Sequence, residues 1–153
     1  DIDELSLNKF YKEHTQSNKK NFATLPLLTS FNELNNTTKF ESDAVLCLAL
    51  THHLVLTNGY TINSIFRTLA KITKKVLILE YIDINDCRIK VACNTPSSFR
   101  NEKIYRKWVN RIKEYAQSRY NLKNFIAIGK EYFKTVQIKD SHRKTRKILI
   151  FSK

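Results

Sequence analysis

The residues best suited to chemistry follow or close two apolar runs. His52-His53 follows the run Asp43–Leu50 after Thr51, and Glu80, with Tyr81 and Asp83, closes the run that begins at Val76. Imidazole titrates near neutrality, so either histidine can accept a proton. A carboxylate such as Glu80 can orient an amine or a hydroxyl. Each has a plainer role as well: a histidine that caps or packs against the next turn, and a loop acid paired with a nearby lysine. Trp108 serves as core or as a stacking platform, and the run Arg143-Lys144-Thr145-Arg146-Lys147 as a solvated turn or a phosphate grip. The three cysteines, Cys47, Cys87 and Cys93, are odd in number and lack CxxC spacing, which argues against a disulfide frame or a zinc site. No His, Cys and acid cluster has metal-ligand spacing. With only Gly59 and Gly129, neither GxGxxG nor GxxxxGK[ST] can be written.

The elements that must position these groups follow from periodicity. Leu7, Phe10, Tyr11 and His14 fall on one helical face, and the polar run 16–21 ends it. Phe22–Leu28 suits a strand, with Pro26 favouring an edge or an end. Phe31–Ser42 is rich in Asn and Thr and reads as a loop. Asp43–Leu50 (DAVLCLAL) fits a strand buried on both faces, as in a parallel sheet covered by helices. After the Asn58-Gly59 turn, Thr61 is a plausible N-cap, and Ile62, Ile65, Phe66, Leu69 and Ile72 form one stripe that ends in Lys74-Lys75. Val76–Ile84 is a second buried strand, so the spacing predicts a βαβ unit. A long helix over Asn101–Arg119 carries Ile104, Tyr105, Trp108, Ile112, Tyr115 and Ala116 on its stripe. Tyr132–Ile138 and Lys147–Phe151, joined by a turn at Asp140-Ser141-His142, predict a terminal antiparallel hairpin. The expected architecture is α/β, with a mainly parallel sheet and an antiparallel end.

A chain of 153 residues is expected to form a single domain, 1–153. It opens on Asp1 and holds no methionine, which suggests a piece of a longer product. No signal peptide and no apolar stretch of membrane-spanning length is visible, so a cytoplasmic setting without membrane insertion is the expectation. Charge is uneven: residues 1–86 carry 9 Lys/Arg and 10 Asp/Glu, whereas 87–153 carry 18 and 4. That asymmetry allows a basic nucleic-acid-binding module through residues 87–153, whose binding would weaken steeply with salt. The rival is compositional drift toward Lys, Asn and Ile.

The stretch DAVLCLALTHHLVLTNGYTINSIFRTLAKITKKVLILEYIDIND, Asp43–Asp86, resembles class I S-adenosylmethionine-dependent methyltransferases. It is similar to the middle of that Rossmann-like fold: an acid-led fourth strand ending in ALxHHL, a helix, and a fifth strand with Glu80. A weaker similarity, through HHL and the closing strands, is to the nodulation-type subgroup. The terminal hairpin resembles the family's antiparallel end. The resemblance implies S-adenosyl-L-methionine as cofactor, and Asp1, with Asp3 as its register alternative, as the acid on the cofactor's ribose. It also implies that Leu50, Thr51 and His52 hold the cofactor or the acceptor beyond a strand's carboxyl end. His52, His53 and Glu80 are the candidates for a catalytic role. The family's first strand, central in its sheet, and its Gly-rich loop are absent. The resemblance therefore implies an N-terminally truncated methyltransferase domain acting on an unidentified acceptor, an anionic one being favoured by the basic half. Its alternatives are a non-catalytic remnant and a half completed by a missing N-terminal part or a partner chain.

Overall fold

The computed structural model describes residues 9, 30–36, 40–94, 101–113 and 119–153. The chain divides into two compact units, Asp1–Phe40 and Glu41–Lys153. In the first unit, α1 spans Phe31–Asn36, within a stretch expected to be a loop. Its cause is a capping box: the Ser30 amide donates to Glu33 Oε2 at 2.6 Å, and the Glu33 amide donates back to Ser30 Oγ at 3.3 Å. The expected helix around Leu7–His14 and the strand Phe22–Leu28 lie outside the described residues.

The second unit is built on a four-stranded sheet in the order β1-β2-β4-β3, comprising β1 (Ser42–Cys47), β2 (Thr73–Ile82), β3 (Thr135–Asp140) and β4 (Arg146–Ser152). β1 pairs with β2 in parallel, and the β2–β4 and β3–β4 pairs are antiparallel. The fold is mixed α/β as expected, but its described sheet is mostly antiparallel rather than mainly parallel. The single parallel pair needs a crossover, and α2 (Ile62–Ile72) supplies it. Thr61 caps α2 by accepting the Ser64 amide at 3.0 Å, and Ile62, Ile65, Phe66 and Leu69 are buried on the expected stripe. The helix does not reach Lys74-Lys75. It passes straight into β2 at Thr73, whose hydroxyl donates to the Leu69 carbonyl at 2.7 Å.

The described residues of the unit hold three more helices: α3 (Cys87–Cys93), α4 (Glu102–Arg111) and α5 (Leu122–Tyr132). Neither α3 nor α5 was expected, and α5 takes in Tyr132, which had been placed in a strand. Asn101 and Asn121 cap α4 and α5 through their side-chain oxygens, each at 2.9 Å from an amide three residues on. Strand register builds the core. Leu77 sits opposite Phe151 and Leu79 opposite Leu149, and all four are fully buried. Phe66 of α2 and Phe125 of α5 meet edge to face at 6.1 Å, and Phe66 meets Phe151 at 5.1 Å.

β1 departs from expectation. The run Asp43–Leu50 is not a strand buried on both faces: the strand stops at Cys47, and Leu46, Leu48 and Leu50 are 66%, 51% and 39% exposed. Leu48 and Leu50 lie beyond the strand, and β1 itself is an edge of the described sheet, flanked there by β2 alone.

Candidate functional site

β1 and β2 end side by side, and their carboxyl ends open onto a cavity of about 230 Å³. In an open sheet that is where ligands bind, because loops leaving parallel strands diverge there. The cavity is lined by Ala49, His52 and His53 beyond β1, Ile82 at the end of β2, Asp86, Arg88 and Ile89 around the start of α3, Trp108 of α4, and Arg146 at the start of β4.

Side-chain alternation explains the floor. Along β2, Leu77, Leu79 and Tyr81 face one side of the sheet, while Glu80 and Ile82 face the other. Register places Arg146 directly opposite Ile82, on the face that carries Glu80. There Arg146 Nε and Nη2 donate to Asp86 Oδ2 and Oδ1 at 2.9 and 3.3 Å, and Nη1 lies 3.6 Å from Glu80 Oε1. All three residues are buried, so one guanidinium is shared by two carboxylates away from water. Asp86 also accepts the Thr145 hydroxyl at 2.8 Å and caps α3 by accepting the Arg88 amide at 3.0 Å. The Arg146 guanidinium beside it, together with Thr145 and the Arg88 amide, holds the Asp86 carboxyl well below the usual carboxylate range against the opposing effect of burial.

Glu80 links this floor to the loop after β1. Its Oε2 accepts the Ala49 amide at 3.0 Å. Ala49 has φ 52°, a left-handed conformation that costs an L-residue about 1–2 kcal/mol, and the bond to Glu80 helps to hold it. Thr51 is fully buried and donates its hydroxyl to the Glu80 carbonyl at 3.2 Å. The chain then widens into a π-helical turn, His53–Thr57, closed by the Asn58 amide on the His53 carbonyl at 3.1 Å. Leu54, Val55 and Leu56 anchor that turn in the core.

The two histidine rings lie 4.0 Å apart. Burial, then the neighbouring His53 and Arg146, lower the His52 pKa to about 4, and burial lowers that of His53 as well. Both are therefore neutral at pH 7 and able to accept a hydrogen bond. His52 Nδ1 is buried with no hydrogen-bond partner among the described residues.

The structure thus brings His52 and His53 to one cavity, with Glu80 directly behind its floor. Glu80 is engaged by Ala49 and Arg146 rather than by a lysine, and so ties the loop after β1 to the floor. Leu50 and Thr51 do not line the cavity. Asp1 and Asp3 lie outside the described residues. Trp108 is buried at 4% exposure and still forms part of the wall. Arg146, read as part of a solvated basic turn, is a buried partner of Asp86. Asp86 itself was missed, although an acid just before a helical stretch is an N-cap signal. Cys47 is buried, and burial pushes its thiol up to about 12. Cys87 is exposed and accepts from Arg143 Nη1 at 2.7 Å. Among the described residues no three His, Cys, Asp or Glu gather as a metal site, and no helix is long and apolar enough to cross a membrane.

No family model and no curated protein matches the chain. Among solved structures it is similar to a possible exported protein from Bordetella parapertussis, with a TM-score of 0.61 and 14% identity over 100% of this chain. The chain spans 51% of that protein's length, and at such identity the likeness is one of fold alone.

Proposed function

We propose that this chain is the carboxyl-terminal part of a Rossmann-like methyltransferase domain, which transfers a methyl group from S-adenosylmethionine to an unidentified acceptor. The observation that carries the reading is the cavity at the carboxyl ends of a parallel β1–α2–β2 unit, with the HHL turn at its mouth and an antiparallel pair completing the sheet. The sequence resemblance over Asp43–Asp86 supports it independently.

Part of a cofactor site fits what is present. The orphaned Nδ1 of His52 and the neutral His53 offer hydrogen-bond acceptors beside the loop after β1. When bound, the cofactor supplies a methyl group already activated on a sulfonium. The protein's task is then chiefly alignment. Glu80 fixes the loop through the Ala49 amide, Arg146 and Asp86 fix Glu80, and Trp108, Ile82 and Ile89 keep water from the wall. His52 or His53 takes the proton of an acceptor that must lose one. At a pKa of about 4, His52 is a weak base that is fully available at pH 7.

The test is a calorimetric titration with S-adenosylhomocysteine. Saturable one-to-one binding, weakened by His52→Ala, is expected. A folded protein that gives no heat, alone and when joined to an upstream strand with a Gly-rich loop, would sink the reading. A second reading, a half completed by another chain, is favoured by the apolar β1, which has β2 as its one partner within the described sheet. On that reading, binding appears only once the missing strands are supplied.

A further inference from the structure

The cavity also carries an inference that holds whether or not the chain uses a methyl donor. Three of its walls are the apolar surfaces of Ile82, Ile89 and Trp108, each less than 5% exposed. At about 230 Å³ it lies just below the roughly 300–1,000 Å³ of ordinary ligand pockets, which suits a small ligand.

The charges on the lining sort themselves clearly. Both Asp86 oxygens are occupied by donors from Thr145, Arg146 and the Arg88 amide. Arg146 is held between Asp86 and Glu80. The histidines are neutral at pH 7. Arg88 differs: it is exposed, lines the cavity, and its guanidinium enters no ion pair among the described residues. A guanidinium fork recognises a carboxylate in two parallel bonds. The surrounding field has the same preference, since the chain carries a net charge of +13.

We propose that the cavity binds a small aromatic carboxylate, its ring against Trp108, Ile82 and Ile89 and its carboxylate on Arg88. A ring hydroxyl or N–H on such a ligand would find an acceptor in His52 or His53.

Trp108 is the only tryptophan, so its indole N–H gives a single, assignable resonance that reports on the cavity. The experiment titrates the ¹⁵N-labelled protein with benzoate, benzamide and benzylamine, which share a ring and differ in charge. Benzoate should shift the indole resonance saturably, and bind at least several-fold more tightly than benzamide and more tightly still than benzylamine. Arg88→Gln should weaken benzoate by about tenfold and leave benzamide unchanged. The proposal is overturned if benzoate causes no saturable shift, if benzamide or benzylamine binds as well, or if Arg88→Gln binds benzoate like the parent. Arg88 is exposed, so the variant should keep its fold. If it does not, the three-ligand comparison on the parent protein decides alone. Because no cofactor is added, failure here leaves the titration with S-adenosylhomocysteine untouched.

Discussion

Asp86 does three jobs with two oxygens: it caps α3, anchors Thr145, and pairs with Arg146. Removing its charge costs Arg146 its close charge-assisted bonds and leaves it only the longer 3.6 Å contact with Glu80. Asp86→Asn should therefore lower stability by about 3–5 kcal/mol in urea unfolding; a loss below 1 kcal/mol would mean that water reaches the site. His52 gives a second, separable signal. Its folded pKa of about 4 lies below its ordinary 6.5, so between these values the unfolded chain binds a proton that the native chain refuses. Stability is full above about pH 6.5 and falls as the pH drops toward 4, with His53 adding in the same direction. The Asp86 contribution is lost only further into acid, since its pKa is depressed below 3.8. Thermal melts from pH 7.5 to 4 should show this slope, and His52→Gln should flatten it. An unchanged slope would assign the effect elsewhere.

At the scale of elements, α5 joins the sheet through the absence of a side chain. A Cβ on Gly129 would lie 2.3 and 2.5 Å from the Phe151 ring and 3.0 Å from Phe66. Both rings are fully buried in the core that binds α2, α5 and β4 together, so neither can swing away. Gly129→Ala gains helix propensity of up to about 1 kcal/mol but overpacks the core by about 1–3 kcal/mol. A net loss in denaturant midpoint is expected; a gain would show that Phe151 repacks freely. The crossover helix α2 needs no such fit. Its Thr61 cap and its buried stripe at i, i+3, i+4 and i+7 agree with each other, and its C-terminus is finished by the Thr73 hydroxyl.

In the larger unit, Glu41–Lys153, the more apolar of the two edges of the described sheet is β1. β1 is hydrogen-bonded on one side only within the described sheet, and Leu46 is 66% exposed along it. An apolar strand edge invites pairing with another strand. Concentrated protein should therefore self-associate in sedimentation velocity, and Leu46→Lys should reduce that while changing stability by less than about 0.5 kcal/mol. A strictly monomeric parent would show that the edge is already covered.

Where local pattern and local environment coincide, the sequence alone was sufficient. The α2 stripe, its Thr61 cap, the β2 run and the terminal hairpin are all readable because each depends on neighbours within a few residues. Asn121, followed by apolar Leu122, Phe125 and Ile126, carried the same kind of signal for α5 and was overlooked. What no local pattern holds is which strand lies beside which. DAVLCLAL has the composition of a central strand, yet composition cannot say that β2 alone pairs with it among the described strands. Nor can a basic run reveal that Arg146 alone turns inward. The β2–β4 register places it opposite Ile82 and beside Glu80, and the N-cap of α3 brings Asp86 to meet it. The histidines were legible as candidates from their type and position. Their neutrality, and the cavity they share with Arg88 and Trp108, exist only because segments far apart in sequence exclude water together.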